Sequence, residues 1–298
     1  MKQSIEDKKI IAIVGPTSCS KTKIAINLAK KFNGEIVGAD SRQIYKGLDI
    51  GTGKDLEEYG DLPYHLIDIV KPDYRYSLAQ YQNRAYKAID SILKKQKIPF
   101  LVGGSGLYLN SVLNGISLPK AKPNQKLRKK LQNMQDKERI KLLKSYNPPR
   151  NFDFNNPRRV IRAIEICIQT GSKIFKIANK NQPRYNSLVL GKTFPINQIR
   201  ERIKKRVDKW MNQGLVQEVK ELKDNGLSWQ RLDEIGLEYR YVSYYLQGKI
   251  DYKTLIDKLI IATGQYAKRQ ITWFKKDKRI IWIKNRKEAQ EKIRNFLS

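Results

Sequence analysis

The chain opens on an alternation of apolar runs and helical patterns. KIIAIV, residues 9–14, is apolar at nearly every position and reads as a buried strand. Residues 20–32 follow as a helix, and EIVGAD, residues 35–40, as a second strand. In SLAQYQNRAYKAIDSILKKQK, residues 77–97, the apolar positions Leu78, Tyr81, Ala85, Ala88, Ile89 and Ile92 recur at helical spacing behind Ser77, a good N-cap. IPFLVGG, residues 98–104, is a third strand ending in glycines. Strand and helix in alternation predict a parallel α/β sheet. Such sheets take ligands at the carboxyl ends of their strands. Three loops fall there: 15–22, 40–53 and 103–106.

Past Pro119 the pattern changes. LPKAKPNQ interrupts it, a lysine-rich helix is predicted over 124–145, and NPPRNFDFNNP interrupts it again. Asn156 and Pro157 supply the cap and first turn of a helix, RRVIRAIEICIQT, that Gly171 closes. SLVLGKTF, residues 187–194, returns as a strand. Helices are predicted over 197–212, 214–225, 233–247 and 251–275, and RIIWI, residues 279–283, as a last strand. The reading gives an α/β core over 1–118, a mainly helical insertion over 119–186, and a return strand with C-terminal helices over 187–298.

Charge separates these segments. The net is +31, from 60 Lys and Arg against 29 Asp and Glu; residues 1–118 carry +5 of it and residues 119–298 carry +26. Generic basicity would spread evenly, so the asymmetry points to a polyanion on the second part. No apolar run approaches the ~18 residues of a membrane span, and MKQSIEDKKI has no signal-peptide core. With cysteine only at 19 and 167 and histidine only at 65, a disulfide framework and a histidine-rich metal site are excluded. A cytoplasmic setting is expected.

The first candidate chemistry is GPTSCSKT: Gly15, Pro16, Thr17, Ser18, Cys19, Ser20, Lys21 and Thr22. Between a strand and a helix, this matches a phosphate-binding loop, G-x-x-x-x-G-K-[ST], except that Ser20 replaces the second glycine. Backbone N–H groups would cradle phosphate oxygens, Lys21 would neutralise them, and the Thr22 hydroxyl would ligate Mg2+. A left-handed backbone at Ser20 would cost about 1–2 kcal/mol. Asp40, at a strand end, can face that loop or merely cap a turn. Gly103, Gly104 and Gly106 around Ser105 allow close backbone approach or form an ordinary turn. Arg158, Arg159 and Arg162 lie on one helix, with Val160, Ile161, Ala163 and Ile164 facing inward; such a run suits an anion or a solvated face. TGQYAKRQITWF, residues 263–274, mixes Lys268, Arg269 and Gln270 with Tyr266, Trp273 and Phe274. That mixture suits nucleic-acid stacking or an aromatic core stripe.

Taken together, GPT..SKT, DSRQIYKGLDIGT, HLIDI, LVGGSGLYL, RRVIRAIE, RIKKRVDKWMNQGLVQEV and AKRQITWF resemble the tRNA dimethylallyltransferase (tRNA isopentenyltransferase) family, in order and spacing, from about Lys9 to Lys276. The departures are Ser20 for glycine, Arg42 where methionine is common, EIGLEY where IGY is usual, and Gly264 for arginine. The resemblance implies a P-loop NTPase-like parallel sheet core with a helical insertion and a helical C-terminal part. It implies transfer of a dimethylallyl group from dimethylallyl diphosphate to N6 of adenine 37 in tRNA, with Mg2+ at Thr22. It assigns Asp40 as general base, with Lys21, Thr22, Ser105 and Arg202 as further catalytic residues, and loop 15–22 as the diphosphate site. It places the tRNA anticodon stem-loop on Asp40, Ser41, Arg42, Gln43 and Ser105, on Arg158, Arg159, Val160, Ile161 and Arg162, and on Asp233, Glu234, Ile235, Gly236, Leu237 and Glu238. A monomer without membrane contact is expected. A prenyltransferase acting on free adenine nucleotide would need no polyanion, and a P-loop nucleotide kinase would give DSRQIY and AKRQITWF no role. Ser20 and Gly264 keep an inactive RNA-binding relative open.

Overall fold

The computed structural model describes residues 5, 7–119, 121–171 and 182–298. Among them, six strands form one parallel sheet in the order β3-β2-β4-β1-β5-β6. These are β1 (Lys9–Val14), β2 (Gly34–Gly38), β3 (Tyr64–His65), β4 (Ile98–Gly103), β5 (Asn186–Gly191) and β6 (Ile281–Trp282). The central strand β1 pairs with β4 from Ile11 opposite Phe100 to Val14 opposite Gly103, and with β5 from Lys9 opposite Asn186 to Val14 opposite Gly191. Ile10 to Val14 are buried on both faces, which is why KIIAIV reads as continuous apolar rather than alternating. The expected α/β class and parallel sheet are what the protein has.

Helices α1 (Lys21–Lys31) and α2 (Leu78–Lys94) follow β1 and β3. Ser77 caps α2 through a reciprocal capping box with Gln80. Tyr81, Ala85, Ile89 and Ile92 bury the face that the spacing indicated. After β4 comes α3 (Gly106–Leu113), and after β5 come α7 (Ile196–Asn212), α8 (Leu215–Asp224), α9 (Trp229–Ile235), α10 (Leu237–Leu246) and α11 (Tyr252–Phe274). The helix expected over 233–247 is two helices. Ser228 starts α9 early by accepting from the Arg231 N–H (3.1 Å), and Gly236, in an extended conformation, breaks the chain before α10.

Two compact units divide the chain: Met1–Leu113 with Pro183–Ser298, and Asn114–Gln182. The second has its own core of Leu131, Leu143, Val160, Ile161, Ala163 and Ile164. Its helices are α4 (Gln125–Gln132), α5 (Asp136–Lys144) and α6 (Pro157–Thr170). The single helix expected over 124–145 is interrupted at Asn133–Gln135, where Asn133 ends α4 and the Glu138 carboxylate accepts from the Gln135 N–H to start α5. Asn156, Pro157 and Gly171 bound α6 as the sequence indicated. A final helix, α12 (Arg286–Leu297), follows β6. No helix among the described residues is long and apolar enough to cross a membrane.

Glu35 ties β2 to its neighbours. It is fully buried, lies 2.8 Å from His65 Nε2, and pairs with Lys95 (3.2 Å) and Lys97 (3.1 Å). Burial alone would raise its carboxyl, but the hydrogen bonds from His65, Lys97 and Lys95 outweigh it and hold the pKa at about 2 instead of the ordinary 4.5. A depressed carboxyl stabilises the fold above its unfolded value and loses that contribution as pH falls. Stability is therefore expected to drop between about pH 4.5 and pH 2. Glu35→Gln should flatten that part of the profile, at a cost on the order of 2 kcal/mol at neutral pH after screening of the exposed lysines. Urea titrations of both proteins across that range measure it.

Candidate active site

The phosphate-loop candidate runs from β1 into α1. Gly15 has no room for a side chain: a Cβ there would lie 2.2 Å from the Lys192 carbonyl oxygen and 2.9 Å from Cys19 Sγ. Ser18 and Ser20 both have φ 60, so Ser20 does take the left-handed conformation that glycine would favour, at about 1–2 kcal/mol. Its hydroxyl makes no capping bond to α1. Instead it accepts from Arg202 Nη2, while Arg202 Nε donates to the Ser18 carbonyl oxygen at 2.8 Å. Lys21 Nζ rests on the Pro16 carbonyl oxygen at 3.2 Å. The buried Ser18 hydroxyl has no partner, so a donor is left over inside the loop.

Arg206, one turn beyond Arg202 on α7, donates to Thr17 Oγ1 at 3.3 Å and stacks over Trp210 at 4.8 Å. Burial pulls its guanidinium below the ordinary range, opposed by the charges of Glu238, Asp55 and Asp40. The sequence reading did not single out Arg206. The signal was present in RERIKKR, where Arg202 and Arg206 are four apart and share a helix face.

Gly104 and Ser105, following β4, join the loop to the Asp40 strip. Gln270 Nε2 donates to the Gly104 carbonyl oxygen at 2.9 Å, and Gln270 Oε1 accepts from the Thr17 N–H at 2.8 Å. A Cβ on Gly104 would lie 2.3 Å from that amide. Ser105 Oγ accepts from the Ser41 N–H at 3.0 Å. Asp40 Oδ1 accepts from the Arg42 N–H at 2.9 Å. Gln43 Nε2 donates to the carbonyl oxygens of Thr52 (3.2 Å) and Gly53 (3.1 Å). Burial raises the half-buried Glu238 carboxyl, against the pull of Arg206 and Arg42. Burial likewise pushes the Tyr266 phenol up, and the Asp40 charge adds to it.

Gln270 is therefore a buried clamp rather than part of a nucleic-acid face, and Phe274 is core. Lys268 and Arg269 stay exposed on α11 and Trp273 is partly so. Gln270→Leu keeps the shape but strands the Thr17 N–H and the Gly104 carbonyl. It is expected to cost about 2–4 kcal/mol of stability and to weaken inorganic diphosphate binding at least tenfold. Denaturant and calorimetric titrations read the two effects.

The loop bearing Asp40 to Gln43 is held from behind. The Glu218 carboxylate accepts from the N–H groups of Asp49 (2.8 Å), Ile50 (2.7 Å) and Gly51 (3.2 Å), and from the Tyr239 hydroxyl (2.8 Å). Lys54 is fully buried; its ammonium donates to the Tyr45 carbonyl oxygen (2.7 Å), to Asp49 (2.6 Å) and to Asp68. Neither residue carried a local signal, because their partners are distant in sequence or lie in a loop with no regular pattern.

Burial overturns three of the expected tRNA contacts. Val160 (2% exposed), Ile161 (7%) and Ile235 (0%) are core residues, so their side chains cannot reach a ligand. Arg162 is committed: it pairs with the buried Glu165 and donates to the Ala121 carbonyl oxygen at 2.9 Å. Asp233 is held by Arg240 (2.6 Å) and Tyr244 (2.9 Å), and Glu234 by Arg75 (2.8 Å). Arg158 is exposed, and Arg159 is exposed but paired with Asp153 at 3.2 Å. Gly236 packs against Arg42, whose Nε would lie 3.1 Å from a Cβ there.

A parallel sheet with the loop 15–22 between its central strand and α1, cationic side chains of a later helix on that loop and Asp40 at the end of a neighbouring strand give a P-loop NTPase-like α/β fold. The family model described as IPP transferase matches residues 43–277, and the one described as isopentenyl transferase matches residues 8–60. The chain is 42% identical over 279 residues to tRNA dimethylallyltransferase 2 of Treponema denticola, covering 92% of this chain and 94% of that one. It is 42% identical over 287 residues to tRNA dimethylallyltransferase 1 of Syntrophus aciditrophicus, covering 93% of each. Among solved structures, the full-length tRNA isopentenylpyrophosphate transferase of Bacillus halodurans superposes with a TM-score of 0.72 at 35% identity, over 97% of this chain and 95% of that one. A eukaryotic dimethylallyltransferase acting on tRNA gives 0.74 at 28% identity, over 89% of this chain and 69% of that one. The chain belongs to the IPP transferase family.

Proposed function

We propose that this enzyme transfers a dimethylallyl group from dimethylallyl diphosphate to N6 of adenine 37 in tRNA, in the cytoplasm, giving N6-(dimethylallyl)adenosine. The observation that carries the reading is the Gly104–Ser105 dipeptide: one residue anchors the phosphate loop through Gln270, and the next anchors the Asp40 strip through Ser41. Donor and acceptor groups then meet across two adjacent residues.

Loop 15–22 holds the diphosphate with its N–H groups, Lys21 and Arg202, and with Arg206 behind them. The unpartnered Ser18 hydroxyl is one more donor for it. Among the described residues no cluster of three acidic, cysteine or histidine side chains could hold a metal. The Thr22 hydroxyl would hold a Mg2+ ion beside the diphosphate, where the ion would add positive charge against the leaving group. The N6 lone pair forms a bond to C1 of the dimethylallyl group as the C1–O bond breaks, and that electron pair leaves on the diphosphate. Lys21 and the arginines stabilise the charge developing there. Asp40 takes the N6 proton, and Ser105 keeps the strip that bears it in place. The adenine must leave its stack to reach Asp40. Ser41, Arg42, Gln43 and the Gly236–Glu238 start of α10 border the site, and the basic unit bearing Arg158 supplies phosphate contacts to the anticodon stem-loop.

The test uses labelled dimethylallyl diphosphate with unmodified tRNA carrying adenines at 36, 37 and 38, with adenosine monophosphate, and with tRNA whose position 37 is guanine. Label is expected only in the first. Label in the mononucleotide alone would move the chain to free-nucleotide prenylation, and phosphate transfer from ATP would make it a kinase.

A further inference from the structure

Ser20 is the residue that departs from the phosphate-loop pattern, and the fold gives its hydroxyl a partner. Arg202 reaches over from α7 and makes a fork: Nη2 donates to Ser20 Oγ and Nε donates to the Ser18 carbonyl oxygen at 2.8 Å. Its guanidinium also lies over the Phe194 ring at 4.5 Å. The fork ties together the two left-handed serines of the loop. Glycine at position 20 would offer no oxygen to it. A planar guanidinium suits two parallel bonds of this kind, and its remaining N–H groups stay available for an anion.

We infer that Ser20 is a positioning residue for the donor: its hydroxyl fixes Arg202 at the phosphate loop, so that the guanidinium meets the diphosphate already oriented. This rests on the reading of loop 15–22 as the diphosphate site. A long arginine side chain loses rotamer freedom when it engages a ligand, and holding it in advance removes that cost from binding. The left-handed strain at Ser20 is the accompanying disadvantage, so removing the hydroxyl and removing the strain have opposite signs.

Calorimetric titration with inorganic diphosphate and Mg2+ separates the two. Ser20→Ala keeps the strain and loses the acceptor; it is expected to weaken binding about fivefold to tenfold, the range for one bond to a partly exposed charged group. Ser20→Gly loses both and should fall between alanine and wild type. Ser20→Asn retains an acceptor and tolerates the left-handed backbone, so it should bind more tightly than Ser20→Ala. In an Arg202→Ala background, Ser20→Ala should change binding by less than twofold, because nothing is left to hold. Thermal unfolding of each variant checks that the fold is intact. An undiminished Ser20→Ala effect in that background overturns the inference alone, as does tighter binding by Ser20→Gly than by wild type. Failure of the wild type to bind diphosphate overturns the diphosphate site itself and the inference with it.

Discussion

Asp40→Asn is expected to slow dimethylallyl transfer by about 10²–10⁴, the usual worth of a general base, while donor and tRNA affinities stay near those of the wild type. The substitution is clean for a structural reason. Asp40 Oδ1 accepts from the Arg42 N–H at 2.9 Å, and an asparagine side-chain oxygen can accept the same bond. The turn from Asp40 to Gln43 therefore survives, and only basicity is lost. Single-turnover reactions with labelled donor isolate the chemical step from product release. Glu238 is the competing carboxylate, since burial raises its pKa and it shares the neighbourhood of Arg42 and Arg206. Glu238→Gln should leave single-turnover chemistry within about tenfold of wild type. An unaffected Asp40→Asn rate beside a collapsed Glu238→Gln rate would transfer the base to Glu238.

What the sequence makes legible follows from locality. KIIAIV, the Ser77 capping box and the Asn156–Pro157 start of α6 are all signals written within a few residues, and each appears in the fold where the pattern puts it. Periodicity fails where caps intervene. The 124–145 and 233–247 stretches keep a helical rhythm through Asn133–Gln135 and Gly236, but the backbone stops there because capping side chains and an extended glycine compete with continuation. Helix α12 was not anticipated, although Asn285 accepting from the Glu288 N–H at 3.0 Å is a recognisable start signal.

The site divides along the same line. Loop 15–22 and Ser105 sit where strand ends placed them, and Arg202, assigned by resemblance, lies on that loop. The groups that hold them in register were illegible. Gln270 looked like part of a basic, aromatic face, yet its amide bridges Thr17 and Gly104. Glu218 looked like one surface acid among many, yet it gathers three consecutive N–H groups of the loop after Gln43. A long-range hydrogen bond leaves no mark on local composition, so these roles required the fold. Chemistry-bearing residues announced themselves by type and motif; their supports did not.

The largest effect expected outside the chemical step is on tRNA affinity. Residues 119–298 carry a net charge of +26, so binding should fall steeply with salt. Each neutralised phosphate adds about 0.7–0.9 to the slope of log K against log salt, and six to ten contacts would mean a loss on the order of 10³–10⁵ between 50 and 200 mM. Arg158 and Arg162 look equivalent in RRVIRAIE, but the fold separates them. Arg158 is exposed, so Arg158→Ala should lower the slope by about one phosphate's worth and leave diphosphate affinity unchanged. Arg162 instead helps satisfy Glu165, a fully buried carboxylate that also takes both Arg128 Nε and Nη2 at 2.8 Å and the Asn124 N–H at 2.6 Å. Burial would raise that carboxyl, and these donors hold it down. Arg162→Ala removes one donor and the bond to the Ala121 carbonyl, so it should destabilise the Asn114–Gln182 unit by about 1–3 kcal/mol. Its effect on affinity should follow unfolding of that unit more than salt. Filter binding across a salt series, with hydrogen exchange over α6, distinguishes the two. A flat salt dependence in the wild type would remove tRNA as the polyanion, and equal slopes for Arg158→Ala and wild type would remove α6 from the contact.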